Sequence, residues 1–121
     1  MTPLYAKGSR DREMIDRLGI AETILDGYRY TVAQGPKAFH IDAWHVTRNW
    51  SALVDASTCP VHMIHGSEDP VVTIDSVRAF AAARNRVTLH ELTGEGQLIL
   101  YGRPDSVLAE VARFARSCLA G

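Results

Sequence analysis

The sequence predicts an α/β fold with two parallel strands, and two observations lead to this class. Residues 61–65 form a short extended run that a glycine ends, and residues 87–92 alternate as a second strand. Apolar residues at helical spacing lie before, between and after these runs. Because a helix separates the two strands, we expect them to pair in parallel through a right-handed crossover.

The composition is that of a folded globular domain. The chain has 121 residues, of which 46% are hydrophobic and 22% are charged, a balance that supports a core. The 13 Lys and Arg residues nearly cancel the 14 Asp and Glu residues, and the net charge is -1. Since no basic run is present to follow a phosphate backbone, we expect no direct nucleic-acid binding by this segment.

The apolar stretches and the cysteines indicate neither a membrane span nor a bound metal. No apolar run approaches the roughly 20 residues that cross a bilayer, and residues 1–8 lack the pattern of a secretory signal. Cys59 and Cys118 are isolated thiols that suit neither a disulfide framework nor a zinc cluster. We expect a cytoplasmic protein without metal or cofactor.

Residues 1–56 are predicted to be helical. A capping serine and a closing glycine frame a short helix over 9–18. A second short segment over 20–25 ends at an Asp-Gly pair. Pro36 suits the first turn of a longer helix, whose predicted apolar face consists of Phe39, Ala43, Val46 and Trp50.

Residues 57–121 are predicted to form a strand, helix, strand, helix segment. Thr73 can cap the first of these helices, which turns Val77, Phe80 and Ala81 inward. A glycine-containing turn follows the second strand, and Pro104 opens the last helix. The apolar stripe of that helix consists of Val107, Leu108, Val111, Phe114 and Ala115.

Two parallel strands are too few for a self-sufficient sheet. Parallel sheets normally have both faces covered and neighbours at their edges. We therefore expect the missing strands to come from an upstream region of the same gene, from a second subunit or from further copies of the chain.

Two stretches carry a resemblance to a known family. Residues 59–72, CPVHMIHGSEDPVV, resemble the late strand and the turn that present the catalytic acid in α/β-hydrolases, and residues 93–98, TGEGQL, resemble the loop that carries the catalytic histidine. The resemblance implies that Asp69 occupies the acid position and Gln97 the histidine position. It also implies that residues 1–56 are cap-like and that 57–121 form the C-terminal part of the fold.

A weaker similarity points to the hydrolase-like domains of bacterial helix-turn-helix regulators. It rests on residues 96–101, on residues 26–30 and on the pair Gly35 and Pro36. This second resemblance implies a regulatory role, with the DNA-binding part outside this segment.

The expected catalytic triad is degenerate. The family's nucleophile lies in a G-x-S-x-G turn, but no two glycines here lie four positions apart. The amide of Gln97 has no basic nitrogen and cannot act as the general base. We therefore predict that the isolated chain is inactive, and that Gln97→His alone does not restore hydrolysis.

Other residues with possible chemistry have ordinary structural interpretations. His62 and His65 are three apart on a strand, so they face opposite sides and cannot share a metal. His65 is interpreted as part of the turn's framework, and His90 lies too early to replace the base. Asp69 suits a structural or ligand-positioning role in its turn, and Glu95 is expected to be solvated. The aromatic residues either belong to the core or line an apolar pocket under the cap: Phe39, Trp44 and Trp50.

Three functions follow from these observations. The first is a non-catalytic, hydrolase-like segment that serves small-molecule binding or regulation. The second is the acid-bearing part of an enzyme that hydrolyses carboxylic esters or similar carbonyl compounds, with its serine nucleophile in a missing N-terminal half. The third is a stand-alone protein that completes its sheet by self-association.

Overall fold

The computed structural model describes residues 6–33 and 35–119. The fold is mixed α/β, 60% helical, with two parallel strands in one sheet, which confirms the predicted class. The predicted segments 1–56 and 57–121 include residues 1–5, 34, 120 and 121, which lie outside the described residues. In chain order the elements are α1 (Arg10–Leu18), α2 (Ala21–Val32), α3 (Pro36–Thr47), α4 (Ser51–Ala56), β1 (Val61–Gly66), α5 (Ile74–Ala82), β2 (Val87–Leu92), α6 (Ile99–Gly102) and α7 (Pro104–Leu119).

The chain divides into two compact units. The described parts of Met1–Met14 and Ser57–Gly121 form the first unit, which contains both strands. Ile15–Ala56 forms the second unit, which is helical. Unit 1 is therefore discontinuous in sequence, and unit 2 is inserted into it.

The sheet in unit 1 lies between two helices. The strands pair in parallel from Val61 opposite Val87 to Gly66 opposite Leu92, as predicted. On one face, the Phe114 ring of α7 stacks on His62, with 4.9 Å between the ring centroids. On the other face, the guanidinium of Arg78 in α5 lies 2.8 Å from the Glu91 carboxylate. The alternation of side chains along the strands thus assigns one helix to each face.

The helices of unit 2 differ from the prediction at three points. The segment expected to end near residue 25 continues to Val32, because the glycine at position 27 does not adopt a positive φ and Arg29 pairs with Asp26 at 2.7 Å. The helix that begins at Pro36 ends at Thr47, so Trp50 is not part of it. The short helix α4 was not predicted.

Few apolar side chains are fully buried. Within the described residues the buried apolar side chains are Met14, Ile15, Val77 and Val87. The predicted apolar stripe of the last helix is only partly covered, because Leu108 and Val111 are 59% and 51% exposed while Glu110 of the same helix is buried. In the ranges that the structure describes, no helix combines the length and the apolar character that a membrane span requires.

Candidate functional site

The turn after β1 holds the predicted acid, Asp69, in a fixed position. Its side chain is only 4% exposed, and its Oδ1 atom accepts hydrogen bonds from the backbone N–H groups of Val71 at 2.7 Å and Val72 at 3.0 Å. His65 Nε2 donates to the carbonyl oxygen of Val72 at 2.8 Å, which braces the same turn. The geometry explains why the Asp-Pro sequence forms a tight turn here.

The second oxygen of Asp69 has a different environment. Oδ2 lies 3.6 Å from His65 Nε2, beyond ordinary hydrogen-bond distance. Among the described residues it accepts no hydrogen bond. One carboxylate oxygen is therefore engaged in the turn, while the other remains able to accept a hydrogen bond.

The loop after β2, which carries Gln97, packs directly against this turn. The Gly94 N–H donates to Ser67 Oγ at 2.8 Å, and the Glu68 N–H donates to the Glu95 carbonyl at 2.8 Å. A Cβ atom at Gly66 would lie 2.7 Å from the carbonyl carbon of Glu95. Glycine at position 66 is thus what allows the two loops to approach so closely.

Asp11 of α1 fixes the Gln97 loop from the other side. The residue is 2% exposed, and its carboxylate accepts hydrogen bonds from the backbone N–H groups of Gln97 at 3.0 Å and Leu98 at 2.8 Å. Arg10 Nε donates to the Gly94 carbonyl at 2.7 Å. The sequence predicted a short helix over 9–18 but not this link, because residues that lie 86 and 87 positions apart leave no local pattern.

The side-chain amide of Gln97 has no hydrogen-bond partner in the described part of the chain. Its backbone is held by Asp11, whereas the residue is exposed and its side chain makes no hydrogen bond to the described residues. The structure places the Asp69 turn and the Gln97 loop side by side. It does not join the two side chains by a hydrogen bond.

The expectation that Glu95 is solvated is wrong. Glu95 is 7% exposed, and its Oε1 atom accepts a hydrogen bond from Arg103 Nε at 2.7 Å. Arg103 follows the short, unpredicted helix α6, which returns the chain over the loop. A buried carboxylate needs such a partner, and the ion pair stabilises the conformation that presents Gln97.

A second polar cluster joins the sheet to α7. His62 Nε2 lies 2.7 Å from Glu110 Oε1 and His62 Nδ1 lies 2.6 Å from Thr88 Oγ1. Arg113 donates to both oxygens of the Glu110 carboxylate, and His90 Nδ1 lies 3.5 Å away. The hydrogen bond from Arg113 is the main reason why the pKa of Glu110 falls to about 2, with smaller contributions from His62 and His90.

This cluster is a structural link and shows no metal-binding arrangement. Glu110 and Thr88 each provide a partner for one ring nitrogen of His62, and these nitrogens would otherwise be buried without one. Within the described residues, no three His, Cys, Asp or Glu side chains are placed to hold a metal ion. The sequence analysis missed Glu110 because it lies on the predicted apolar side of the last helix.

Unit 2 contains an open groove along α3. The groove has a volume of about 510 Å³, and Arg48 places its guanidinium 4.2 Å from the centroid of the Trp44 ring. Trp44 lines this groove, whereas Phe39 and Trp50 do not. The interpretation that these three aromatic residues belong to the core is wrong, because all of them are exposed. The lining residues are Gly35, Pro36, Lys37, His40, Ile41 and Trp44.

Comparisons of the chain with models of protein families, with curated proteins and with solved structures gave no match. The class that the fold and the site define is a mixed α/β chain with a buried, turn-held carboxylate beside a loop that bears a glutamine.

Proposed function

We propose that the chain is the C-terminal segment of an α/β-hydrolase-like domain that is non-catalytic on its own and serves small-molecule binding or regulation. The order of strand, turn with Asp69, helix, strand and loop with Gln97 supports the assignment to this fold. In the complete protein the sheet is extended by an N-terminal half or by another copy of the chain. The weaker resemblance to helix-turn-helix regulators assigns DNA binding to a part outside this segment.

One observation carries the proposal. Asp69 retains an oxygen that can accept a hydrogen bond, but the neighbouring loop offers the exposed amide of Gln97 in place of an imidazole. An amide can orient a ligand by hydrogen bonds, whereas it cannot take a proton from a nucleophile at neutral pH. The arrangement therefore favours ligand binding over turnover.

Hydrolysis of p-nitrophenyl acetate tests the non-catalytic part of the proposal. We expect the wild-type chain and the variants Asp69→Asn and Gln97→His to release p-nitrophenol at the same slow rate, because no nucleophile elbow is present in the sequence. A rate that Asp69→Asn abolishes would instead support the enzyme alternative. Circular dichroism of each variant shows whether the fold is retained.

We propose a second ligand site, separate from the Asp69 turn and the Gln97 loop, in the groove along α3 of unit 2. Its lining includes the aromatic residue Trp44, the apolar residue Ile41 and the basic residue Lys37, and no Asp or Glu is among the lining residues that the structure describes. Arg48 adds a second positive charge beside the indole. A small aromatic carboxylate matches both the apolar surface and the charge.

Fluorescence of Trp44 tests this binding site. In a Trp50→Phe variant, Trp44 is the remaining tryptophan, since the chain has two, and we expect phenylacetate to change its emission in a saturable manner. Lys37→Met is expected to weaken binding by about tenfold, the cost of losing one charge-assisted contact. The neutral analogue phenylacetamide serves as the control. Equal responses to both probes, or none, would contradict the assignment of the ligand.

The state of the cysteines supports the cytoplasm as the compartment in this proposal. Cys59 and Cys118 are both free and exposed, and exposed free thiols persist in a reducing environment. An oxidising compartment would favour their conversion to intermolecular disulfides.

A further inference from the structure

The polar cluster that links the sheet to α7 contains a hydroxyl, an imidazole and a carboxylate in series. Thr88 Oγ1 lies 2.6 Å from His62 Nδ1, and His62 Nε2 lies 2.7 Å from Glu110 Oε1. The three residues come from β2, β1 and α7. A hydroxyl within hydrogen-bond reach of a base, which a third group orients, is the arrangement of an activated nucleophile.

The pairing of the strands explains why the hydroxyl and the imidazole meet. His62 is opposite Thr88 in the parallel register, so both side chains project from the same face of the sheet. The two residues are 26 positions apart in the sequence. No local motif therefore indicates the pair, and only the register of the strands brings it together.

The His62 ring is fixed by packing as well as by hydrogen bonds. Phe114 stacks on it, with 4.9 Å between the ring centroids and 18° between the ring planes. The side chains of His62 and Glu110 are 7% and 9% exposed, and Arg113 donates to both oxygens of the carboxylate. A base that is locked in this way needs no rearrangement before it receives a proton.

The partners of His62 assign the position of its proton. The hydrogen bond from Arg113 is the main cause that lowers the pKa of Glu110 to about 2, so this carboxylate is ionised at neutral pH and only accepts hydrogen bonds. His62 Nε2 therefore donates to Glu110, and the neutral ring keeps its lone pair on Nδ1, which faces Thr88. The Val61 carbonyl lies 3.5 Å from the hydroxyl, too far to compete with the contact of 2.6 Å to His62.

Thr88 is the accessible member of the series. The residue is exposed, whereas the side chains of His62 and Glu110 are buried. In the described part of the chain, β2 has a single neighbouring strand. A reagent in solution can therefore reach the hydroxyl, while the base and the carboxylate stay shielded from water.

We propose that Thr88 is a nucleophile that takes one acyl group from an activated carboxylic ester, with His62 as its general base and Glu110 as a positioning residue. Thr88 Oγ1 forms a bond to the carbonyl carbon of the ester, and His62 Nδ1 takes the hydroxyl proton. The bond from that carbon to the leaving oxygen then breaks, and the leaving group departs with the electron pair as an aryloxide. His62 passes the proton to solvent.

The chemistry of the three residues limits the reaction to donors with a good leaving group. They activate the hydroxyl, but none of them donates a hydrogen bond to the oxyanion that develops on the ester. The product is a threonine ester, an alkyl ester with a poor leaving group, so its hydrolysis is slower than its formation. We therefore expect a single transfer rather than turnover. Because Asp69 and Gln97 take no part, failure of this proposal would leave the proposed function unaffected.

Labelling of the full chain with a fluorophosphonate, followed by peptide mass spectrometry, tests the nucleophile. In this reaction the oxygen–phosphorus bond forms, the phosphorus–fluorine bond breaks, and fluoride leaves with the electron pair. We expect one adduct, on Thr88, which Thr88→Val abolishes and Thr88→Ser retains. Thr73→Val is the matched control and should not change the labelling, because the exposed Thr73 hydroxyl contacts Ser76 Oγ at 2.8 Å rather than an imidazole. An unlabelled Thr88 in the wild type, or equal labelling of Thr73, would overturn the proposal.

Substitution of His62 tests the base. Loss of a general base is expected to slow the labelling of Thr88 by about a hundredfold in His62→Ala. Added imidazole should restore part of the rate in this variant, because it can enter the space that the side chain leaves. Circular dichroism shows whether the fold is retained. If a folded His62→Ala chain is labelled as fast as the wild type, His62 is not the base.

Nuclear magnetic resonance tests the positioning role of Glu110 in the wild type itself. The imidazole ¹H–¹⁵N spectrum should place the proton of His62 on Nε2, as the hydrogen bond to Glu110 requires. In Glu110→Gln we expect this signature to be lost and the labelling of Thr88 to slow, because the lone pair is no longer held on Nδ1. A wild-type His62 that carries its proton on Nδ1 would contradict the proposal, since that nitrogen could not then accept the proton of Thr88.

Discussion

Asp11 shows how much a single buried carboxylate contributes to this fold. Its two hydrogen bonds hold the Gln97 loop, and its carboxylate occupies the space next to Gly96 where a side chain would otherwise lie. We predict that Asp11→Ala lowers the free energy of unfolding by about 2 to 3 kcal/mol, because two backbone N–H groups lose a charged acceptor. Urea denaturation measures the loss. Asp42→Ala, which removes an exposed carboxylate, should change stability little, and equal effects of both variants would contradict this role of Asp11.

Glu110 gives the protein a pH dependence at the scale of one residue. Its pKa falls from 4.5 to about 2, chiefly through the hydrogen bond from Arg113. A lowered carboxylate pKa stabilises the folded state above pH 4.5, and this contribution is lost as the pH falls towards 2. We predict that the wild type is more stable than Glu110→Gln at neutral pH and that the difference shrinks in acid. The urea midpoints of both proteins between pH 2 and neutral pH measure this difference in stability. Glu22→Gln is the control, because Glu22 belongs to an exposed ion pair with Arg29. A difference in stability that persists unchanged to pH 2 would contradict the role of Glu110 in this pH dependence.

Sequence reasoning at the residue scale located Asp69 and Gln97 but missed the acids that support them. The motif around Asp69 is local, so a short stretch of sequence contains its turn chemistry. Asp11 and Glu110 act through partners on distant segments, and their own neighbourhoods predict helices without these contacts. Glu95 between two glycines indicated a solvated loop, because its partner Arg103 follows a helix that the sequence did not predict.

At the scale of elements, α2 provides a direct test of helix continuity. The sequence predicted a break at Gly27, yet α2 continues through it, and a Cβ atom there would have no heavy atom within 4 Å. We predict that Gly27→Ala raises the free energy of unfolding by about 0.5 to 1 kcal/mol, since alanine is the better helix former. Gly94→Ala is the contrasting variant: its φ of 74° should make alanine destabilising. A loss of stability in Gly27→Ala would show that the helix ends where the sequence predicted.

The two strands and the helices with clear terminal signals were predicted from the sequence. Short β-branched runs gave β1 and β2, and Pro36 and Pro104 marked the starts of α3 and α7. The short helices α4 and α6 escaped prediction because six and four residues contain too few positions for a helical period. The outward face of α7 also escaped, since periodicity identifies an apolar stripe without showing which partner covers it.

The whole molecule combines a small core with an unusually apolar surface. Only four described apolar residues are buried, and the sheet has two strands with an open edge on each side. The sequence predicted that the sheet lacks neighbouring strands, because it contains only two strand patterns. It did not show which surface supplies the missing contacts, because side-chain exposure is set by packing between distant segments.

The open strand edges make the effect of concentration on stability a test at the scale of the whole molecule. If two copies complete the sheet and unfold to separate chains, mass action stabilises the folded state by about 1.4 kcal/mol of dimer for each tenfold rise in concentration. We predict that the urea midpoint of the wild type then rises with concentration. A midpoint that stays constant would contradict completion of the sheet by a second copy and would leave a missing N-terminal half as the source of the additional strands.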